Sequence, residues 1–116
     1  GKIISILTSY VVGKPPNGVV DYVVGKYSLL GLTKCMAVEL GSFGIRVNSV
    51  SPSMVNTPLT EPLPRMLKEM IKSQIPIENR LAEPSEVAEV VLFLCTEGAN
   101  YITGENILIT GGYSMR

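Results

Sequence analysis

Three short segments of the chain have the hydrophobic pattern of β-strands. Residues 3–7 form a nearly continuous apolar run rich in β-branched side chains, and strand-like runs follow at residues 45–50 and 106–109. A continuous apolar run is typical of a strand in a parallel sheet, because such a sheet is covered on both faces. We therefore expect the first segment to be a buried strand, with the other two segments in the same sheet.

A long helix is predicted between the first two strands, over residues 21–40. Asp21 is placed to act as its N-cap, and Gly41 and Gly44 are placed to end it. Apolar side chains occupy more than one face of this helix. We expect one of these faces to pack on the sheet and another to pack on a second helix or subunit.

Two shorter helices are predicted in the second half of the chain. Residues 65–74 alternate methionine, leucine and isoleucine with charged residues, which is typical of an amphipathic helix. A Met-rich helix between loops suits an adaptable lid over a pocket, and a plain surface helix is the alternative. Pro84 fits the first turn of the last helix, which we expect to end at Gly98.

The order of these elements predicts an α/β fold. A strand, a helix and a second strand form a βαβ unit, for which a right-handed parallel crossover is the rule. Irregular segments rich in glycine and proline follow the first two strands, at residues 10–20 and 53–64. Open α/β sheets bind ligands at the carboxyl ends of their strands, so we expect a site there.

Composition narrows the range of functions. The chain has 116 residues, of which 46% are hydrophobic and 17% charged, as in one globular domain. Ten basic residues balance ten acidic ones, so nucleic-acid or anionic-membrane binding has no electrostatic support. No apolar stretch approaches the ~20 residues of a membrane span. Because the chain has no histidine, histidine triads and histidine metal sites are excluded. We predict no metal site of another kind.

The two cysteines, Cys35 and Cys95, lie inside apolar segments. We expect them to be buried free thiols, as in a protein of the reducing cytoplasm. A disulfide or a nucleophilic cysteine is the alternative interpretation.

The candidate chemistry lies at Ser9, Tyr22 and Lys26. The tyrosine and the lysine are spaced i, i+4, which places them on one helix face, one turn apart. A neighbouring ammonium favours a phenolate and lowers the pKa of a tyrosine from its usual value near ~10, so such a pair can transfer protons. Ser9 follows the first strand and could hold a substrate oxygen. An ordinary helix surface is the alternative for the Tyr–Lys pair alone.

Several spaced motifs resemble the short-chain dehydrogenase/reductase family, in particular its 3-oxoacyl-(acyl carrier protein) reductase-like members. Residues 1–9 are similar to the strand that carries the family's catalytic serine, and residues 22–26 to its Tyr-x-x-x-Lys motif. The central helix, the next strand and the C-terminal signature have counterparts at residues 29–40, 44–50, 101–104 and 111–112. The resemblance implies a Rossmann-type, doubly wound parallel sheet, of which this chain would supply about three neighbouring strands.

The same resemblance implies roles for individual residues. Tyr22 would be the general acid/base, Ser9 would hold the substrate oxygen, and Lys26 would tune Tyr22 and bind the nicotinamide ribose. The cofactor would be NAD or NADP and the substrate an alcohol or ketone. Residues 52–57 resemble the family's Pro-Gly-x-x-x-Thr segment, which also holds the cofactor. The cofactor-binding residues implied are Tyr22, Lys26, Pro52, Val55 and Thr57.

Two departures from the family pattern change the expectation. Ser53 stands where the family usually has glycine, so a positive φ there would be strained. No Gly-rich phosphate loop precedes Ser9. We therefore expect residues 1–116 to be the C-terminal half of one Rossmann-type domain, with residues 58–80 as a substrate lid. A complementary N-terminal segment would bind the cofactor's phosphates, and activity would need it.

Further expectations concern partners and alternatives. The resemblance implies a homo-oligomer, a dimer or tetramer, formed through the helix that carries Tyr22 and Lys26 and through the C-terminal strand. Free thiols agree with a cytoplasmic location. The alternative to an enzyme is a non-catalytic half-domain that acts as an assembly module, or a pseudoenzyme that binds the cofactor without turnover.

Overall fold

Three parallel strands form the centre of the molecule. The computed structural model describes all 116 residues of the chain. Strand β1 spans Lys2–Ile6, β2 spans Arg46–Pro52 and β3 spans Asn106–Ile109, in the spatial order β1-β2-β3. Both neighbouring pairs are parallel, with Ile4 opposite Asn48 and Val50 opposite Ile107. The predicted α/β fold with a parallel sheet is confirmed.

Three α-helices connect and cover these strands. Helix α1 spans Val20–Leu40, α2 spans Arg65–Ser73 and α3 spans Pro84–Leu94. Short 3₁₀ helices occupy Ser9–Val11, Gly41–Phe43 and Glu97–Ala99. All three predicted helices are therefore present, and each begins within one residue of its predicted start.

The predicted N-cap of α1 is wrong. Val19 occupies the cap position and makes no side-chain capping bond, whereas Asp21 lies in the first turn. A carboxylate in the first turn still stabilises a helix, because the helix macrodipole is positive at that end.

The predicted end of α3 is also wrong, because the helix stops at Leu94 and not at Gly98. Arg46 of β2 closes it: its Nη2 atom donates to the carbonyl oxygen of Leu94 at 2.7 Å. The Thr96 hydroxyl donates to the Phe93 carbonyl at 2.7 Å and satisfies a second carbonyl of the last turn. With these carbonyls satisfied from outside the helix, the chain can turn away.

The core lies on both sides of β2. Val50 is fully buried with Leu94 of α3 and with Ala99, and further aliphatic side chains pack around them. On the α1 side, Thr33 and Ala37 are the buried helix residues.

A polar cluster joins β2 to β3 inside the sheet. The hydroxyls of Ser49 and Ser51 both donate to the Asn106 side-chain oxygen, at 3.1 and 2.7 Å. Glu105 directly precedes β3, and its N–H donates to the Asn48 side-chain oxygen at 3.0 Å. These buried polar groups are therefore hydrogen-bonded, which removes most of the cost of burying them.

Both cysteines are exposed free thiols, so the prediction that they are buried is wrong. Cys35 lies on α1 and Cys95 at the end of α3, on helix faces that no other element of the chain covers. The same uncovered α1 surface carries large apolar side chains, which agrees with the apolar breadth seen in the sequence. Its exposed members include Val20, Val24, Leu32 and Val38.

None of the helices combines the length and the apolar character needed to cross a lipid bilayer.

Candidate active site

Ser9 lies just beyond β1, at the carboxyl end of the sheet. It begins the 3₁₀ turn Ser9–Val11, whose N-cap Thr8 accepts a hydrogen bond from the Tyr10 N–H at 3.4 Å. The Ser9 carbonyl accepts the N–H groups of Val12 and Gly13, at 3.0 and 2.9 Å. Ser9 is only 2% exposed, yet its hydroxyl has no hydrogen-bond partner within the chain. The turn therefore fixes the backbone of Ser9 and leaves its hydroxyl free for a ligand.

Tyr22 and Lys26 project from the first two turns of α1. The Lys26 ammonium lies 5.7 Å from the centroid of the Tyr22 ring. It also donates to the Ile6 carbonyl, at the end of β1, at 2.7 Å. This bond ties the helix to the strand end and holds a positive charge beside the phenol. The Tyr22 side chain is 47% exposed, and its hydroxyl has no hydrogen-bond partner within the chain.

A second aromatic ring, which sequence reasoning did not single out, meets Tyr22. The Tyr10 and Tyr22 rings are arranged edge to face, with centroids 6.5 Å apart and an interplanar angle of 80°. Burial raises the pKa of Tyr10 above its usual value, and the neighbouring phenols of Tyr113 and Tyr22 raise it further. The only sequence signal for Tyr10 was its place directly after Ser9.

The segment after β2 forms the opposite side of the site. Pro52 ends β2, and Val55 pairs with Ala82 in an isolated parallel bridge. The Thr60 hydroxyl donates to the Val55 carbonyl at 2.8 Å and accepts the Thr57 N–H at 3.1 Å. By contrast, the Val55 N–H and the Thr57 hydroxyl have no partner within the chain.

Ser53 does not adopt the strained conformation that its place in the sequence suggested. The residues other than glycine with positive φ are Glu78 and Asn79, at 57° and 49°. The Ser53 N–H donates to the Ile109 carbonyl at 3.2 Å, which continues the pairing of β2 with β3. Serine is therefore accommodated here without backbone strain.

All the sequence-predicted site residues line one cleft of about 340 Å³. The tyrosines Tyr10 and Tyr113 line it as well, as do several apolar side chains. The predicted site residues in its wall are Ser9, Tyr22, Lys26, Pro52, Val55 and Thr57.

The segment expected to act as a lid lines the cleft with residues other than its methionines. Leu59, Thr60 and Ile71 line the cleft, whereas Met66 is 85% exposed and lies outside it. The hydrophobic face of α2 turned toward the cleft is therefore the Ile71 side, near the end of the helix.

An ion-pair cluster fixes the connection between α2 and α3. The Arg80 guanidinium donates to both carboxylate oxygens of Glu86, at 2.8 and 2.7 Å, and to Glu78 at 2.7 Å. Hydrogen bonds from Arg80 and from the Glu83 N–H lower the pKa of Glu86 to about 2, and the same carboxylates raise the pKa of Arg80. Ala82, the partner of Val55, lies between the two ends of this cluster in the sequence.

The comparisons with known proteins agree on one family. The sequence profile of a family described as enoyl-(acyl carrier protein) reductase matches residues 1–114. A (3R)-3-hydroxyacyl-CoA dehydrogenase of Rattus norvegicus is 41% identical over 116 residues, which cover 99% of this chain and 44% of the relative. A 3-oxoacyl-[acyl-carrier-protein] reductase of Aquifex aeolicus is 46% identical over 113 residues, which cover 97% of this chain and 44% of the relative.

A solved structure shows the same fold. The crystal structure of a 3-oxoacyl-[acyl-carrier protein] reductase from Brucella melitensis superposes with a TM-score of 0.92 at 29% sequence identity. The match covers 99% of this chain and 43% of that protein. The chain thus spans less than half the length of the relatives it matches.

Proposed function

The chain belongs to the short-chain dehydrogenase/reductase family, and we propose that its residues carry out the proton-transfer part of an NAD- or NADP-dependent oxidoreductase. The reaction would interconvert an alcohol and a ketone. The observation that supports it best is that Ser9, Tyr22 and Lys26, from two different elements, line one cleft at the carboxyl end of the sheet.

Tyr22 is the general acid/base in this proposal. Its hydroxyl has no hydrogen-bond partner within the chain, and the side chain is half-exposed, so a substrate oxygen can reach the hydroxyl. The Lys26 ammonium, 5.7 Å from the ring centroid, stabilises the phenolate form when Tyr22 has given up its proton. In reduction of a ketone Tyr22 donates the proton to the oxygen, and in oxidation of an alcohol it removes the proton.

Ser9 holds the substrate oxygen. Its backbone is fixed by the 3₁₀ turn and its hydroxyl is unpaired, so a hydrogen bond to substrate costs little reorganisation. A preorganised donor of this kind stabilises the negative charge that develops on the oxygen in the transition state.

The nicotinamide cofactor, when bound, supplies or accepts the hydride. The unpaired Val55 N–H and Thr57 hydroxyl fit such a group, because a carboxamide offers both an acceptor and a donor. Pro52 would form the wall beside them, and Tyr22 and Lys26 would bind the ribose hydroxyls. Either NAD or NADP would supply this chemistry.

We also propose how the chain functions in its assembly. Residues 1–116 would form the C-terminal half of one Rossmann-type domain, with residues 58–80 as a lid over the substrate. A complementary segment would bind the cofactor's phosphates. The exposed apolar residues of α1, among them Val24 and Val38, would pack against a second copy of the chain.

The test measures the oxidation of NADH and of NADPH by the native protein, purified from its natural source, with a panel of carbonyl compounds. The panel begins with 3-oxoacyl thioesters, because the relatives are named for 3-hydroxyacyl-CoA and for 3-oxoacyl-[acyl-carrier-protein]. We expect Tyr22→Phe to lower kcat by about 10²- to 10⁴-fold. The matched control is Tyr27→Phe, on the same helix but outside the cleft, and it should leave kcat unchanged.

Three outcomes would contradict the proposal. Full turnover in Tyr22→Phe would show that Tyr22 is not the acid/base. Cofactor binding without turnover would identify a pseudoenzyme. A protein that neither binds nucleotide nor turns over would be the assembly module.

A further inference from the structure

Tyr10 touches the proposed acid/base but has no role in the scheme above. It lies in the 3₁₀ turn directly after Ser9 and is half-buried in the wall of the same cleft. Its ring meets the Tyr22 ring edge to face at 6.5 Å and 80°.

The orientation of the Tyr22 ring needs such a contact. The Tyr22 hydroxyl has no partner within the chain, so no hydrogen bond fixes the ring. Lys26 approaches it from the same helix, whereas Tyr10 approaches it from a different element. Edge-to-face aromatic contacts depend on orientation, because the positive edge of one ring meets the negative face of the other.

The turn that carries Tyr10 is well suited to hold a ring in place. Thr8 caps it, Val11 on the far side of Tyr10 is buried, and the Ser9 carbonyl accepts two backbone N–H groups. The Tyr10 backbone is therefore fixed from both sides, and its ring offers a rigid contact surface to the Tyr22 ring.

We propose that Tyr10 is a positioning residue, whose ring fixes the orientation of the Tyr22 ring in the cleft. This inference rests on the proposed function of Tyr22. Burial raises the pKa of Tyr10, which favours the protonated form of its hydroxyl.

The experiment compares Tyr10→Phe, which keeps the ring, with Tyr10→Leu, which keeps apolar bulk and removes the ring. We expect Tyr10→Leu to lower kcat by about 3- to 10-fold, the size of one edge-to-face contact, with little change in the KM for the cofactor. Tyr10→Phe should retain the original kcat. Tyr101→Leu, at the fully exposed tyrosine, is the matched control and should also retain it.

A second readout does not depend on turnover. In protein labelled with 3-fluorotyrosine, the ¹⁹F signal of Tyr22 is identified by its loss in Tyr22→Phe. The ring current of an adjacent aromatic ring changes the chemical shift of a nearby fluorine. We therefore expect the chemical shift of the Tyr22 signal to change in Tyr10→Leu and to stay the same in Tyr101→Leu.

The outcomes separate this inference from the proposed function. Full turnover in Tyr22→Phe overturns the proposed function, and the role of Tyr10 in it as well. If Tyr22→Phe is inactive but Tyr10→Leu and Tyr10→Phe have equal kcat values, whether high or low, the inference alone is overturned. An unmoved Tyr22 signal in Tyr10→Leu overturns it too.

Discussion

The two walls of the cleft are held in place by different kinds of contact. The first wall, comprising Ser9, Tyr10, Tyr22 and Lys26, comes from one continuous stretch of chain. The hydrogen bond described for this wall runs from the Lys26 ammonium to the Ile6 carbonyl, two residues that are twenty apart in the sequence. The second wall, residues 52–60, depends on a bridge from Val55 to Ala82. The side chains of the first wall contact one another within that stretch, whereas the second wall is held by segments further along the chain.

The supports of the second wall lie outside the cleft. The Ile77 N–H donates to the Gly111 carbonyl at 3.1 Å, so the chain after α2 rests on the loop after β3. A Cβ atom on Gly112 would lie 2.9 Å from Cγ of Pro76, which shows how closely the two segments approach. A change in these supports can therefore move the second wall.

The largest effect we expect comes from the first wall. Ser9→Ala removes the donor to the substrate oxygen and should lower kcat/KM by about 10²- to 10³-fold, as loss of an oxyanion donor does. Stability should change little, because the Ser9 hydroxyl has no partner within the chain. The control is Ser28→Ala, whose hydroxyl bonds only the Val24 carbonyl on exposed helix surface. Unchanged kcat/KM in Ser9→Ala would remove the serine from the site.

Gly112→Ala tests the remote support of the second wall. Gly112 has φ of 92°, and its Cβ would collide with the Pro76 ring. A left-handed residue costs about 1–2 kcal/mol and overpacking about 1–3 kcal/mol more, so we expect a loss of about 2–5 kcal/mol in urea unfolding.

Gly18→Ala is the matched control for that substitution. Gly18 has a similar φ of 85°, but its Cβ would meet nothing within 4 Å. It should lose only the left-handed cost of about 1–2 kcal/mol. Equal losses in the two variants would mean that the close approach of Gly112 to Pro76 contributes nothing.

A smaller effect is expected from Thr57→Val in the second wall. Loss of one unpaired hydroxyl should raise the cofactor Kd by about 3- to 10-fold, the worth of one hydrogen bond, and leave the free energy of unfolding unchanged. Thr60→Val should instead weaken both, since Thr60 bonds Val55 and Thr57 within the chain. Titration of cofactor fluorescence and urea unfolding measure the two quantities. An unchanged Kd in Thr57→Val would exclude its hydroxyl from the cofactor site.

The smallest effect concerns the ion pairs that support Ala82. The pKa of Glu86 is lowered from 4.5 to about 2 by its bonds to Arg80 and Glu83. A lowered pKa means that this stabilisation is fully present above pH 4.5 and disappears as the pH falls toward 2. The stabilities of the original protein and Glu86→Gln should therefore converge over that range. Glu89→Gln, on exposed surface of the same helix, should show no such convergence. Parallel acid curves for Glu86→Gln and the original protein would contradict the prediction.

The first wall could be predicted from sequence largely because its residues lie close together in the sequence. The end of a strand, a loop and the start of a helix place Ser9 and the Tyr22–Lys26 pair in neighbouring elements, at the edge of the sheet where ligands bind. Tyr10 was missed because a tyrosine in a Gly/Pro-rich loop carries no periodic signal. Its contact with Tyr22 exists only once the 3₁₀ turn has formed.

The errors elsewhere have long-range causes. The end of α3 was misplaced because Arg46, nearly fifty residues away in sequence, bonds the Leu94 carbonyl. The cysteines were expected to be buried because apolar neighbours indicate an interior, but both lie on uncovered helix faces. A Met-rich lid was expected over the pocket, but Ile71 lines the cleft and Met66 is exposed, because an amphipathic pattern does not say which part of the apolar stripe meets a neighbour.

The polar cluster between β2 and β3 has a consequence for strand pairing. Ser49 and Ser51 are two residues apart on one face of β2, and both donate to the single side-chain oxygen of Asn106. If β3 slipped by one residue, Asn106 would turn to the opposite face of the sheet. The Ser51 hydroxyl would then lose its acceptor and the Ser49 hydroxyl one of its two, and a buried hydroxyl left unsatisfied costs about 1–3 kcal/mol. Three small polar side chains thus favour a single register for β3, a strand of four residues.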